Sequence, residues 1–249
     1  MNTIVCIKRV PDSATRVKLA PGGAALDPAG VKYVLNPYDE FALEEAIRRV
    51  EQAGTGSVTV IALGPPETAE SLRQALAMGA DEAVLLRADG SPDGLVVARA
   101  LASEIEGRGA DLILLGKQAI DDDNMQVPPM LAEILGLPCA TVVVELDIEG
   151  SRCTARREIE GGHEVLEFDL PAVVSTQKGL NEPRYPTLKG IMAAKRKPLV
   201  EKDVALEDAS ITLVSLEEPP APAAGRIVGE GPAAVSELVT LLREEAKVL

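Results

Sequence analysis

The stretch Gly116-Lys117-Gln118-Ala119-Ile120-Asp121-Asp122-Asp123-Asn124-Met125-Gln126-Val127 gathers many ligand-capable groups. It follows an apolar run over residues 111–115 that reads as a buried strand, and precedes a helical stretch through 131–135. Backbone amides at a strand-to-helix junction are unpaired, and the helix dipole favours an anion there, so the chemistry on offer is phosphate binding. The adjacent Asp121, Asp122 and Asp123 repel a phosphate unless only amides face it. Taken alone, they suit a solvated loop or a divalent cation equally well. Two more segments belong at the same end of the sheet. Cys6-Ile7-Lys8-Arg9-Val10-Pro11-Asp12 closes the first strand, and Asn36-Pro37-Tyr38-Asp39 opens the first helix. Asn36 and Asp39 fit N-capping of that helix as readily as ligand contact.

Hydrolytic chemistry finds little support. The chain has one histidine, His163, placed after Gly161-Gly162 in a turn, and three cysteines, Cys6, Cys139 and Cys153, with no CxxC spacing. A disulfide framework, a zinc site or a cluster is not expected from such a set. No G-x-G-x-x-G follows the first strand, and neither a P-loop nor a G-x-S-x-G elbow occurs. With 25 Lys and Arg against 39 Asp and Glu, the net charge is −14, which disfavours nucleic acid. Aromatics are 2% of residues, with no Trp, so base-stacking platforms are lacking too. No apolar run nears the roughly 18–20 residues of a membrane span, and the N-terminus lacks a signal-peptide pattern, so a cytoplasmic chain is expected. A binding or carrier role comes forward.

The elements that must hold these segments alternate. Residues 3–8, 57–63, 82–86 and 111–115 are strand-like; 39–52, 67–78 and 93–106 have helical spacing, with Gly79 as a C-cap. In the first helix Phe41, Ala42, Ala46, Ile47 and Val50 form the apolar stripe, and Glu44, Glu45, Arg48 and Arg49 fall mainly on the other side. Repeated βα units with nearly continuous apolar strands predict an α/β fold, a doubly wound, mostly parallel, Rossmann-like sheet. Its ligand crevice lies at the carboxyl ends of the strands. Residues 139–146, 153–159, 164–170 and 172–177 read as successive strands of an antiparallel elaboration on one edge, with turns at Glu149-Gly150 and Gly161-Gly162. Residues 187–197 read as a short helix with a basic end, Lys195-Arg196-Lys197. The preceding Pro-bounded loop offers Tyr185 and Leu188 as a docking surface, or Leu188 as a staple to its own helix. The extended Pro219-Pro220-Ala221-Pro222-Ala223-Ala224-Gly225 then leads to a helical stripe over 235–249, which folds back or grips a partner.

The chain resembles the beta (small) subunit of electron transfer flavoproteins. The resemblance rests on Lys8-Arg9-Val10, Asn36-Pro37, Ala75-Leu76-Ala77-Met78-Gly79-Ala80-Asp81, the GKQAIDDD run from Gly116 to Asp123, Arg157-Glu158-Ile159-Glu160-Gly161-Gly162, and residues 180–192 with their LNEPRY motif. Order and spacing agree across essentially the whole chain. The resemblance implies a heterodimer with a larger alpha subunit that carries most of a redox-active FAD. It implies a structural AMP on this chain, lined by Cys6, Asn36, Pro37, Tyr38, Asp39, Leu63 and residues 116–127, with Tyr38 beside the flavin ring. Glu158 matches an acid that pairs with an arginine of the mobile flavin domain. Residues 176–198 match a recognition loop for acyl-CoA or related dehydrogenases, with Leu188 as anchor and Tyr185, Ile191 and Met192 around it. A quinone oxidoreductase is the implied downstream acceptor. Residues 1–197 form the nucleotide-binding domain, and 198–249 an arm that reaches onto the alpha subunit. The chain is then an electron carrier rather than an enzyme. Where many AMP-binding members read Gln-Thr-Gly-Gln, this chain has Gln126-Val127-Pro128-Pro129, and Gln-Val also occurs in a bifurcating branch. There a second FAD replaces AMP and accepts hydride from NADH. Tyr38 and Asp122 would crowd that flavin, which favours AMP. A free-standing nucleotide hydrolase on the same kind of fold is the third possibility, without a phosphate-cleaving motif to support it.

Overall fold

Successive residues of the central strands bury on opposite faces of one sheet. Val60 and Ala62 join the core that holds Ala42, Leu43 and Leu76, whereas Ile61 joins the core that holds Leu101 and Leu131. The period of two along a strand requires this split once helices cover both faces. The computed structural model describes residues 1–249 except Ala24, Ser91, Pro222 and Ala223. Its elements run β1 (Asn2–Cys6), β2 (Arg9–Pro11), β3 (Tyr33–Leu35), α1 (Pro37–Ala53), β4 (Ser57–Gly64), α2 (Ala69–Met78), β5 (Glu82–Arg87), α3 (Gly94–Ile105) and β6 (Leu112–Gly116). They continue with α4 (Val127–Leu135), β7 (Cys139–Glu149), β8 (Arg152–Ile159), β9 (Gly162–Asp169), β10 (Ala172–Thr176), α5 (Leu188–Ala194), β11 (Leu199–Asp203) and α6 (Val235–Glu244).

The main sheet has nine strands in the order β11-β5-β4-β1-β6-β10-β7-β8-β9, and β2 and β3 form a separate small ribbon. From β11 through β7 every pairing is parallel; β7–β8 and β8–β9 are antiparallel. The order reverses beside β1, whose neighbours are β4 and β6. The crevice of a doubly wound sheet opens at such a reversal. Helices α1, α2 and α5 cover one face, and α3 and α4 the other.

The doubly wound α/β architecture agrees with the sequence expectation, and four local features correct it. First, β10 is not part of the antiparallel edge. All five of its residues are buried, and it lies parallel between β6 and β7. A strand buried throughout needs neighbours on both sides. Second, Leu199–Asp203, assigned from sequence to the arm, pairs with β5 as an edge strand. Its charges face water, as edge strands tolerate, and so masked it. Third, Glu44 and Glu45 are buried rather than solvated, because the loop before α5 covers that side of α1. Fourth, His163 lies in β9 rather than in the turn, although it is exposed. The turns expected at Gly150 and Gly161 do form, each glycine at positive φ, 63° and 78°.

The last helix spans Val235–Glu244, shorter than the stripe to 249, and none of its residues is buried. Pro222 and Ala223 of the Pro-rich stretch lie outside the described residues. No described helix is long and apolar enough to cross a membrane.

Candidate nucleotide and docking sites

Asp39 is the hinge point of the crevice. It lies in the first turn of α1, and its carboxylate accepts the Lys8 amide at 2.7 Å and the Gly116 amide at 2.9 Å. Lys8 follows β1 and Gly116 ends β6, so one side chain ties the two strands between which the order reverses. Burial pushes the Asp39 carboxyl up to about 7, against the opposing pull of its amide donors and of the Lys8 charge. Cys6, the last residue of β1, is buried; burial and then the Asp39 charge push its thiol far above the usual range. Such a thiol is inert as a nucleophile.

Asn36 stands at the N-cap of α1, yet its side chain caps nothing. Its Nδ2 donates to Gln118 O at 2.9 Å, and its Oδ1 accepts the Ile120 amide at 3.3 Å. Asn36 and Asp39 therefore lock the 116–120 loop to α1 and are not capping groups. Pro37 is exposed at the helix start, where its fixed φ suits the first turn. Tyr38 is half-buried, with the Lys117 ammonium 5.1 Å from its ring centroid. Leu63 lies half-buried near the carboxyl end of β4. The crevice thus gathers Cys6, Asn36, Tyr38, Asp39, Gly116, Lys117, Gln118, Ala119 and Ile120 around the tips of β1 and β6.

The aspartate triplet is not naked. Lys8 Nζ donates to Asp121 at 2.8 Å and to Asp122 at 2.9 Å. Burial alone would lower the Lys8 ammonium, but the bonds and charges of Asp121 and Asp122 outweigh it and hold it above its usual value. Gln118 takes Asp123 through its side-chain amide. One lysine thus bridges two of the carboxylates and a neutral amide holds the third, which offsets part of the repulsion expected from sequence. From the last residue of the triplet onward, Asp123 and Met125 adopt left-handed φ of 50° and 54°. Alternation of hand along a short run turns backbone N–H groups toward one side, an anion-binding device. Side chains take part of that supply: Asp122 accepts the Asn124 amide at 3.3 Å, and Asn124 accepts the Gln126 amide at 3.1 Å. Pro128 and Pro129 open α4 and carry no N–H. The amides of Met125 and Val127 have no partner among the described residues, nor have those of Gln118, Ala119, Asp121 and Asp122. The start of α4 therefore offers fewer free amides than its position in sequence suggests.

Two contributors to the crevice had no role assigned from sequence, Lys8 being named only within the segment that closes the first strand. Lys8 supplies the neutralising charge; its signal was a lysine two residues past the first strand of a parallel sheet. Thr176, buried at the end of β10, donates its hydroxyl toward Tyr38 O at 3.1 Å and Leu115 O at 3.2 Å. Nothing in its sequence surroundings marks it.

The second region lies elsewhere. Thr187 caps α5 by accepting the Gly190 amide at 3.1 Å. Leu188 is 83% exposed and Tyr185 91%, and Ile191 and Met192 are also exposed. Leu188 is therefore not a staple to its own helix. The basic end of this segment divides: Lys195 and Arg196 are exposed, but Lys197 donates to Leu76 O at 3.2 Å, to Gly79 O at 3.4 Å and to Ala80 O. It caps the carboxyl end of α2 and is not part of a free basic patch. Glu158, exposed at the end of β8, accepts Gln177 Nε2 at 3.0 Å and is far in sequence from both sets.

The family model described as "Electron transfer flavoprotein domain" matches residues 24–207. A protein named electron transfer flavoprotein subunit beta from Bacillus subtilis is 42% identical over all of this chain and all of its own length. Its namesake from Bradyrhizobium diazoefficiens is also 42% identical with complete coverage of both chains. One from Syntrophomonas wolfei is 39% identical over all of this chain and 98% of its own length. With that domain and those end-to-end relatives, the chain belongs to the electron transfer flavoprotein family, as a beta subunit.

Proposed function

We propose that this beta subunit holds AMP at the carboxyl ends of β1 and β6, packs against the FAD of an alpha subunit, and docks acyl-CoA or related dehydrogenases. Electrons then pass onward to a quinone oxidoreductase. The observation that carries the nucleotide reading is the Lys8 bridge to Asp121 and Asp122, which offsets part of the charge objection to a phosphate in an acidic loop. The polarised loop over 121–127 and the Asp39 tie give that phosphate a preset cradle. FAD, when bound, supplies the redox chemistry, and this chain supplies binding, orientation and charge. Tyr38 presents an aromatic face at the crevice, with Lys117 fixed beside it. The exposed apolar group of Tyr185, Leu188, Ile191 and Met192 suits a partner surface, since large exposed apolar side chains gathered together mark interaction sites. The arm beyond β11 ends in α6, whose Val235, Leu238 and Val239 are exposed and suit burial on the alpha subunit.

Release of nucleotides from the denatured heterodimer tests the reading. AMP with one FAD is the expected result. Two FAD and no AMP would instead assign the bifurcating reading, and neither nucleotide would overturn both.

A further inference from the structure

Arg184 precedes the exposed Tyr185 and Leu188, yet its own side chain turns away from them onto α1. Nε and Nη2 donate to the Glu44 carboxylate at 2.8 and 3.0 Å. Nη1 and Nη2 donate to Glu51 at 2.7 and 3.0 Å. The Arg184 amide adds a bond to Glu44 at 3.1 Å. A little earlier, Asn181 Nδ2 donates to Phe41 O at 3.0 Å and to Glu45 at 3.1 Å. The Glu44 side chain is 6% exposed, so its charge depends on this partner.

A planar fork that satisfies two carboxylates on one helix fixes direction as well as position. The far end of the segment is held just as firmly. Arg73 Nη1 donates to Ala194 O at 2.7 Å and Lys197 O at 2.8 Å, while Lys197 caps α2. Gly190 lets α5 approach α2 closely, since a Cβ there would lie 2.3 Å from Ala77 O. Residues 177–187, which carry Asn181 and Arg184, have no regular structure of their own. Without the fork they would have to be ordered when a partner binds, at a cost in affinity.

Taking residues 176–198 as the docking loop proposed above, we propose that Arg184 is a positioning residue for partner docking: its fork onto Glu44 and Glu51 sets the orientation in which Leu188 is offered. The role acts through Leu188.

The test uses the intact heterodimer, reduced by an acyl-CoA dehydrogenase and its substrate, with KM and kcat read for the heterodimer. Arg184→Lys keeps the charge and loses the fork. It should raise KM on the order of tenfold, the scale of re-ordering one or two long side chains. It should leave kcat, FAD and AMP content near wild type. Leu188→Ala should cost less in the Arg184→Lys background than in the wild type, because the anchor is already misaligned. Should Arg184→Lys fail to assemble, Glu51→Gln, which alters a carboxylate 58% exposed, must give a smaller rise in KM. An unchanged KM in whichever of the two assembles overturns the proposal, as does a fall in kcat or FAD content alone. If Leu188→Ala by itself leaves KM unchanged, the docking reading fails. If Leu188→Ala raises KM and Arg184→Lys does not, only the positioning role falls.

Discussion

The Asp39 carboxylate accepts the Gly116 amide at 2.9 Å across a gap with no room for a side chain at position 116. A Cβ there would lie 2.5 Å from Asp39 Oδ1 and 2.6 Å from Tyr38 Cβ. Gly116→Ala must push α1 away from β6, at a cost of about 1–3 kcal/mol typical of overpacking. Denaturant unfolding should show that loss, together with reduced nucleotide content.

Asp39 also predicts a pH signature. Its carboxyl stands at about 7 in the fold against an ordinary 3.8, so the folded state binds the proton more tightly than the unfolded state. The contribution is complete below the unfolded value and is lost as pH rises through the folded value. The stability of the wild type minus that of Asp39→Asn should therefore fall between about pH 4 and pH 7, by a few kcal/mol in order of magnitude. Equal slopes for the two proteins across that window would refute the assignment.

Leu188 is exposed, so Leu188→Ala should change folding stability by no more than about 0.5 kcal/mol. It should weaken dehydrogenase-coupled reduction by about 2 kcal/mol of partner affinity, as loss of an interface anchor does. Flavin content should be unchanged. Coupled rates equal to wild type would remove Leu188 from the docking surface.

Lys197 and its exposed neighbour separate structure from surface. Lys197→Met strips a cation from the carboxyl end of α2 and should cost about 1–3 kcal/mol. Lys195→Met should stay within about 0.5 kcal/mol of wild type. Chemical denaturation of the two variants side by side checks both values.

Glu158 is exposed, and its one described bond is to Gln177. Glu158→Ala should shift the distribution of flavin-domain orientations in small-angle scattering and leave AMP content as in wild type. Identical scattering profiles would remove it from that role.

Much of this architecture could be read in advance, because it follows from local rules. Apolar runs at strand spacing, helical stripes such as Ala42, Ala46 and Ile47, and glycines at Gly79 and Gly150 each act within a few residues. The acidic loop and the two segments that meet it were also visible as motifs. What each side chain does there was not. N-capping was as good a reading as any for Asn36 and Asp39, since both readings ask for the same residue types at the same place.

The sequence was sufficient for the doubly wound fold and the family, because periodicity and motif spacing are properties of neighbouring residues. Folding had to bring Lys8 to Asp121 and Asp122, Asp39 to Gly116, Arg184 to Glu44 and Lys197 to the end of α2, across separations of 77 to 140 residues. Whether a charge is solvated, paired or capping depends on which distant group arrives beside it. The same lysine or glutamate is compatible with every one of those outcomes until the chain closes on itself.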